Sequence, residues 1–332
     1  MSEPHEPPPP APQKRPKRHV RAIYSDPGEY AEALPGDAEV QPLVAGSFLA
    51  SVEYVRIPGL TIRWGRASMP RDIRIRRADD DRLRFLHYAA VKAPALWNGQ
   101  PFTTEHVMVA PASQPAEVIL RHAGVEQWAV LTLEREDFLD NYRRQTHSAF
   151  DETDERQRLL RPRKAPRARL SRLLKTVQMY ARANAPLFQH PVTAMSLANE
   201  VLTAIISAIN SAHSRPEPPV SPSQNYVAVN EAIASMLRDP ACPLRMSSLC
   251  DELAVSVRRL EYAFQDIYGM SPGQYSRRIR ASLARKRLQE GSPQTATVTE
   301  IAMAYGFWHL GRFSAIYREL FHENPSETLR RP

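Results

Sequence analysis

The sequence predicts an α+β protein in which a mostly-β N-terminal part, folded as a sandwich or barrel, is followed by connecting helices and an all-α C-terminal part. Three observations predict this class. Short runs of alternating polar and apolar residues occupy residues 48–133. Apolar residues recur at helical spacing from residue 135 onward. A proline-rich segment at 213–223, HSRPEPPVSPS, separates the two parts and is the predicted linker.

Length and composition are those of a globular protein. The chain of 332 residues has room for two domains. Its longest apolar run, inside EVLTAIISAIN, is too short to span a bilayer, and the N-terminus has no apolar secretory segment. We therefore expect a cytoplasmic protein that does not bind a membrane. Residues 1–40, rich in proline and charge, are expected to form a disordered tail.

Six alternating runs predict the strands of an N-terminal domain, residues 41–212. They are VEYVRI, LTIRWGR, DIRIRR, RLRFLHYAA, HVMVAP and WAVLTLE, each bounded by turn-forming residues. Most aromatic residues in this region are expected in the core, and a few are expected to line a small-molecule pocket. The candidate ligand-binding residues are Trp64, Phe85, Tyr88 and Trp97.

Two helices that follow the strands, 170–180 and 195–209, carry a wide apolar stripe. Val201, Leu202, Ile205, Ile206 and Ile209 cover more of the second helix than one packing face requires. The stripe either packs under the strands or meets a second copy of the chain. Because such a patch is unusual when exposed, we favour a homodimer formed through these helices.

Residues 224–332 contain two similar short helix pairs. The first lies in MSSLCDELAVSVRRLEYAFQDIYG, with a turn at Ala254 and Ser256 as the N-cap of its second helix. The second lies in TVTEIAMAYGFWHLGRFSAIYRELF, where Thr297 and Glu300 have the spacing of a capping box and Gly306 suits a left-handed turn. One long helix, SPGQYSRRIRASLARKRLQEG, joins them. This arrangement predicts a duplicated helix-turn-helix.

Within residues 223–332, positive charge is concentrated on that long helix. The net charge of the whole chain is +8, and the segment from Arg277 to Arg287 has six Lys or Arg residues and no acidic residue. A localised basic segment suits contact with phosphate groups. Arg277 and Arg285 are therefore predicted to contact the backbone of a nucleic acid.

The sequence gives no indication of a catalytic or metal site. The two cysteines, Cys242 and Cys250, lack further ligands at zinc spacing. His87, His106 and His122 do not form the histidine pair with glutamate of a metal-binding cupin. No nucleophile elbow or phosphate loop is present. We expect no metal, no cofactor and no enzymatic activity.

The C-terminal part resembles the DNA-binding domain of the AraC/XylS family of transcription regulators. The resemblance covers about residues 225–329 and rests on the pattern L..EL.VS.R.L..AF....G.SP..Y..R.R...AR..L, on VTEIAMAYGF, and on FS..Y..LF...PS. GFWHLGRF with LFHENPS is similar to the branch that contains the ethanolamine-utilisation regulator. The N-terminal strands resemble the AraC-binding effector domain, which has a cupin-like fold.

The resemblance implies that the second helix of each pair, the recognition helix, enters the major groove. Many family members have arginine where this sequence has Tyr262 and Ala315, so those base contacts do not carry over. His309 is expected either to donate to a phosphate or to be solvated or capping, and Trp308 is expected in the core or an interface. The predicted DNA-contacting residues of the two recognition helices are Arg258, Arg259, Glu261, Tyr262 and Gln265, then His309, Leu310, Gly311, Arg312, Ser314 and Ala315.

These observations predict a ligand-responsive transcription regulator. Its expected partners are double-stranded DNA at a promoter operator, a small-molecule effector and a second copy of the chain. Two alternatives remain open: a DNA-binding regulator without an effector, and an enzyme-like β domain fused to a DNA-binding domain.

Overall fold

The computed structural model describes residues 19–76, 81–92, 95–111, 115–122, 124–150, 158–183, 188, 190–213, 223–242 and 244–330. The strands are β1 (His19–Tyr24), β2 (Ala38–Pro42), β3 (Ala50–Ile57), β4 (Leu60–Ala67), β5 (Arg71–Ile75), β6 (Arg82–Ala90), β7 (Ala95–Trp97), β8 (Gln100–Phe102), β9 (Val107–Pro111), β10 (Ala116–Leu120), β11 (Glu126–Glu134) and β12 (Arg158–Leu160). The helices are α1 (Pro27–Ala33), α2 (Arg135–Thr146), α3 (Lys164–Arg182), α4 (Pro191–His213), α5 (Gln224–Arg238), α6 (Met246–Glu252), α7 (Val257–Tyr268), α8 (Pro272–Glu290), α9 (Val298–Ala304), α10 (Leu310–Phe321) and α11 (Pro325–Arg330).

Two antiparallel sheets form a β-sandwich. The larger has the order β1-β3-β4-β11-β6-β9-β12 and the smaller the order β2-β5-β10-β7-β8. Side chains alternate between the faces of a strand. Tyr88 of β6 therefore lies in the core between the sheets, whereas Phe85 lies on the outer face of the larger sheet. The fold class is confirmed, and the six predicted runs are strands β3, β4, β5, β6, β9 and β11.

Helices α2, α3 and α4 cover the outer face of the larger sheet. Val201, Ile205 and Ile209 of α4 are fully buried there, and Leu202 and Ile206 are nearly so. The apolar stripe predicted to form a homodimer instead packs against the protein's own strands, which corrects that prediction. Helix α4 also has the length and composition of a membrane-spanning helix, and this core packing accounts for its apolar character.

The predicted tail is wrong for residues 19–40, because this segment is folded. Strand β1 pairs with β3, and β2 pairs with β5. Between them, α1 begins at a side-chain cap in which Asp26 accepts hydrogen bonds from the backbone N–H of Gly28 and Glu29. Residues 1–18 lie outside the described part of the chain. So do residues 214–222, most of the predicted linker.

The C-terminal helices form two cores joined by α8. The first core includes α5, α6, α7 and the first half of α8, and it also receives Leu43, Leu96 and Ile119 from the smaller sheet. The second core includes the rest of α8 with α9, α10 and α11. The outer face of the smaller sheet is thus covered by the first helix-turn-helix, so the sandwich and the C-terminal helices are in direct contact.

Candidate DNA interface

The first helix-turn-helix consists of α6 and α7. Ala254 adopts a left-handed conformation, φ 51°, at the turn, and the backbone N–H of Val255 donates to the carbonyl of Cys250. Ser256 caps α7 by accepting from the backbone N–H of Arg259 at 3.2 Å. Cys250 is buried where the two helices pack. The turn and the cap agree with the sequence prediction.

The second helix-turn-helix consists of α9 and α10. Thr297 and Glu300 form the predicted capping box. Gly306 has φ 73°, and a Cβ atom there would lie 2.5 Å from the carbonyl oxygen of Ala241. Glycine is required at this turn for both reasons. Phe307 is buried, with its ring centroid 4.8 Å from that of Phe313.

Each recognition helix buries one face and exposes the other. In α7 the buried residues are Leu260, Ala263, Phe264 and Ile267. The predicted contact residues of α7, namely Arg258, Arg259, Glu261, Tyr262 and Gln265, are all exposed. In α10 the predicted residues Leu310, Gly311, Arg312 and Ala315 are exposed, and Ser314 is half-buried. The structure therefore places these residues on two outward faces, as the helical spacing predicts.

The outward faces differ in chemistry. Helix α7 presents arginine, glutamate, glutamine and tyrosine side chains, and Tyr262 is 71% exposed. Arg259 Nη2 donates to Gln224 Oε1 at 3.1 Å, so this guanidinium is already held toward α5. Arg258 is exposed one turn before Tyr262. Arg and Glu can discriminate base pairs in the major groove, which makes α7 the richer surface for base contact.

A basic cleft of about 510 Å³ lies between α8 and the start of α10. Arg277, Arg278 and Arg280 line one side, and His309 and Arg312 line the other. The guanidinium of Arg280 lies 5.1 Å from the ring centroid of Phe307 and donates to the carbonyl of Gly306. Burial lowers the pKa of Arg280, and the nearby charge of Arg277 lowers it further. Such a concentration of positive charge suits a phosphate group.

Trp308 and His309 lie just before α10, and the sequence left more than one role open for each of them. Trp308 is 62% exposed, so it does not belong to the core of the described chain. Phe307 belongs to the core of the second helix-turn-helix, and the ring of the adjacent Trp308 lies outside that core. His309 is exposed at the N-cap position of α10 and makes no side-chain capping bond.

Arg285 does not occupy the position predicted for a phosphate contact. It is buried beneath the N-terminal segment, where it forms ion pairs with Asp26 and with Glu323 Oε1, the latter at 2.8 Å. Its guanidinium also lies 4.4 Å from the ring centroid of Phe321. The prediction is corrected, because two carboxylates already neutralise this arginine. Arg277, by contrast, is exposed on α8.

The four predicted ligand-binding aromatic residues are not brought together. Trp64 and Phe85 are buried between the larger sheet and helices α2–α4. Tyr88 and Trp97 are buried between the two sheets. Since the larger sheet separates the two pairs, they do not form one pocket. No cluster of three or more metal-binding side chains occurs among the described residues.

A buried polar cluster that the sequence did not predict lies between the sandwich and the first helix-turn-helix. Tyr275 and Tyr268 donate to Asp72 Oδ2 at 2.8 Å and 3.2 Å. Arg74 Nη2 lies 2.7 Å from Glu117 Oε1 and 3.0 Å from the hydroxyl of Tyr268. We name Asp72, Arg74, Glu117, Tyr268 and Tyr275 the junction cluster. The only sequence signal for it is the placement of charged residues inside strands β5 and β10.

Comparisons with known proteins agree with this geometry. Residues 249–331 match the family model described as a helix-turn-helix domain. The chain is 41% identical over 88 residues to a probable thc operon regulatory protein of Rhodococcus erythropolis, covering 26% of each protein. It is 38% identical over 88 residues to XylDLEGF operon transcriptional activator 1 of Pseudomonas putida, covering 26% of this chain and 27% of the relative.

The matched regions are confined to the C-terminal part. The chain spans about a quarter of the length of these curated relatives. Among solved structures, a probable AraC family transcriptional regulator from Rhodopseudomonas palustris is 35% identical, with 32% of this chain and 99% of that chain covered and a TM-score of 0.30. Through its C-terminal helix-turn-helix domain, the chain belongs to the AraC/XylS family of transcription regulators.

Proposed function

We propose that the protein is a sequence-specific transcription regulator that binds double-stranded DNA at a promoter operator through α7 and α10. The observation that carries this proposal is the pair of helix-turn-helix units packed on α8, each with an exposed outer face on its second helix. A recognition helix needs one exposed face because base edges are contacted from within the major groove.

The two recognition helices have unequal roles in this proposal. Arg258 and Glu261 of α7 provide base-discriminating groups. Helix α10 offers Gly311 and Ala315, which suit close approach and contact with a thymine methyl group. The basic cleft beside α10 supplies phosphate contacts that fix the position of the protein on the duplex.

The proposal also includes a cytoplasmic, non-enzymatic role and a small-molecule effector sensed by the β-sandwich. Direct packing of the sandwich on the first helix-turn-helix, together with the ion pair between Asp26 and Arg285 of α8, supports an effect of the sandwich on DNA binding. Relatives whose printed names are transcriptional activators support activation rather than repression.

A homodimer remains part of the proposal, through a smaller surface than the sequence suggested. Met179, Tyr180, Val192 and Met195 are exposed near the connection between α3 and α4, and Val192 is 82% exposed. A two-fold protein would match paired half-sites in an operator. Sedimentation of the wild type and of Met195→Glu tests the homodimer. A wild-type dimer that becomes a monomer in the variant supports the proposal. A wild-type protein that is a monomer both with and without DNA contradicts it.

The main test is selection of DNA by the full chain from a random duplex pool. We expect an enriched sequence with two segments, one contacted by each recognition helix. Failure to enrich any sequence, with only salt-sensitive binding to all duplexes, would contradict sequence-specific recognition.

A further inference from the structure

A cavity of about 680 Å³ lies between the β-sandwich and the C-terminal helices. Helix α1 and strands β2 and β5 form one side, and α8 with the end of α5 forms the other. Its volume falls in the range of small-molecule sites. None of the aromatic residues predicted to bind ligand lines this cavity.

Part of the wall is apolar and suits a hydrocarbon or aromatic body. The helices contribute Leu237, Ile279, Leu283 and Phe321, and the sandwich contributes Ala31 and Val40. A ligand in contact with these side chains would remove apolar surface from water, which favours binding.

The charged part of the wall is predominantly acidic. Its carboxylates are Asp26, Glu29, Glu32, Asp37, Glu39 and Asp72, against the cations Arg74, Arg285 and Lys286. Two of the three cations are already neutralised. Arg74 lies between Asp72 and Glu117, and Arg285 lies between Asp26 and Glu323. Glu29 and Glu32 remain exposed on α1 at the edge of the cavity.

Asp72 has unused hydrogen-bonding capacity. The side chain is 1% exposed and lines the cavity. Its Oδ2 atom accepts from Arg74, Tyr268 and Tyr275. Its Oδ1 atom is buried with no hydrogen-bond partner among the described residues. A buried acceptor without a donor is costly, so an added donor beside Asp72 would be stabilising.

We propose that this cavity binds a small organic cation, an amine or amidine on an apolar body, with its positive group toward Asp72 and the acidic residues of α1. The proposal rests on the proposed function, because such a ligand would be the effector. Four of the six carboxylates, Asp26, Asp37, Glu39 and Asp72, pair with arginines. Among the described residues this leaves Glu29 and Glu32 without an ion pair against the single cation Lys286, so an organic anion would meet the greater negative charge.

The position of the cavity also provides a way to affect DNA binding. Its wall includes Asp72 and Tyr275, which join the sandwich to the start of α8. It also includes Asp26 and Arg285, which join α1 to α8. A ligand in the cavity would therefore contact both the Asp72–Tyr275 pair and the Asp26–Arg285 pair.

The test uses the full chain and two matched series of probes, ω-phenylalkylamines and ω-phenylalkanoates with two to six methylene groups. Calorimetric titration and thermal unfolding measure binding. We expect saturable binding of the amines and a rise in the melting temperature, with no effect of the carboxylates.

Variants locate the bound amine. Glu29→Gln with Glu32→Gln removes two exposed charges and should weaken amine binding roughly fivefold or more, and thermal unfolding without ligand checks that the variant is folded. Glu136→Gln with Glu200→Gln removes two exposed charges elsewhere and should leave binding unchanged. Leu283→Trp should fill part of the cavity and abolish binding of the longer amines.

Three results would overturn the proposal: no amine binds, amines and carboxylates bind alike, or binding is unaffected by both the paired glutamate variant and Leu283→Trp. DNA selection separates this failure from failure of the proposed function. Enriched DNA without amine binding removes the cavity proposal alone. Amine binding without enriched DNA supports the site and contradicts the regulator.

Discussion

Arg258 and Arg277 are both exposed arginines of the C-terminal helices, but their surroundings differ. Arg258 lies in the first turn of α7, on the face that also exposes Glu261 and Tyr262. Arg277 lies on α8 in the basic cleft beside His309. A side chain on a recognition helix can contact base edges, whereas one in a basic cleft contacts the backbone.

Arg258→Ala should relax the sequence preference at one base pair, with a loss of roughly 1–3 kcal/mol for a bidentate contact. Arg277→Ala should weaken binding to all duplexes by a similar factor and reduce its salt dependence. Both are measured as dissociation constants for the selected operator and for its single-base variants over a range of salt. Equal losses on every duplex for both variants would contradict the distinction.

Arg285→Ala should destabilise the folded protein rather than act mainly on DNA. Removing this guanidinium leaves Asp26 and Glu323 buried side by side, and breaking a buried ion pair in this way costs roughly 3–5 kcal/mol. The neighbouring Lys286→Ala, at an exposed position, is the control. Denaturant unfolding of both variants is the measurement, and an Arg285→Ala protein as stable as the control would show that the ion pairs contribute little.

The difference between Arg277 and Arg285 could not be predicted from the local sequence. Both belong to one basic segment at positions compatible with an outward face. Arg285 is buried against the N-terminal segment, where it pairs with the carboxylate of Asp26. Helical periodicity gives the exposed residues of α7 and α10 because their packing partners are close in sequence. It gives no information on a partner from another domain.

At the scale of elements, α4 shows how a wide apolar stripe is used. One side of it contacts the larger sheet, and the rest contacts α2 and α3. A helix that packs against both a sheet and two helices needs a wider stripe than a helix on a surface. The sequence therefore identified the burial of these residues correctly but not the surface that buries them.

Leu202→Glu combined with Ile206→Glu should prevent correct folding of the N-terminal domain. These side chains are 7% and 1% exposed, and an unpaired buried carboxylate is strongly unfavourable. The matched control, Val192→Glu combined with Met195→Glu, places the same charges at exposed positions of the same helix. Circular dichroism and yield of soluble protein distinguish them. A folded, soluble core variant would contradict this assignment.

Strand β10 was missed for a related reason. Its five residues, AEVIL, are all buried, because the sandwich core covers one face and the first helix-turn-helix covers the other. Alternation of polar and apolar residues is a signal only when one face meets water. The predicted strands of the larger sheet each contain an alternating run long enough to be recognised in the sequence. Strand β12 has only three residues, too few to show such a pattern.

On the scale of the whole molecule, the sandwich is attached to the C-terminal helices at two buried polar contacts. The junction cluster contacts α7 and the start of α8, and the Arg285 ion pairs connect α1 to α8 and to Glu323, which follows α10. Burial, followed by the charge of Asp72, raises the pKa of Glu117 in the junction cluster to about 7. Protonation of this carboxyl group therefore couples the domain contact to pH.

The stability contributed by Glu117 should fall as the pH rises from 4.5 toward 7. In that window the folded protein keeps a proton on Glu117, whose ordinary pKa is 4.5, while the unfolded chain has released it. Glu117→Gln should remove this contribution, so its melting temperature should fall less between pH 5 and pH 7.5. Thermal unfolding over this range is the measurement. Parallel curves for the two proteins would contradict a raised pKa in the folded state.

The ion pair between Asp26 and Arg285 has a consequence for biosynthesis. Asp26 leaves the ribosome early, and its partner follows about 260 residues later. At translation rates of about 5–20 residues per second, Arg285 is synthesised roughly 13–50 s after Asp26. Throughout this interval the nascent sandwich exposes α1 and the outer face of its smaller sheet to solvent. Contact between α1 and α8 thus forms late in synthesis, and helices α9, α10 and α11 follow it along the chain.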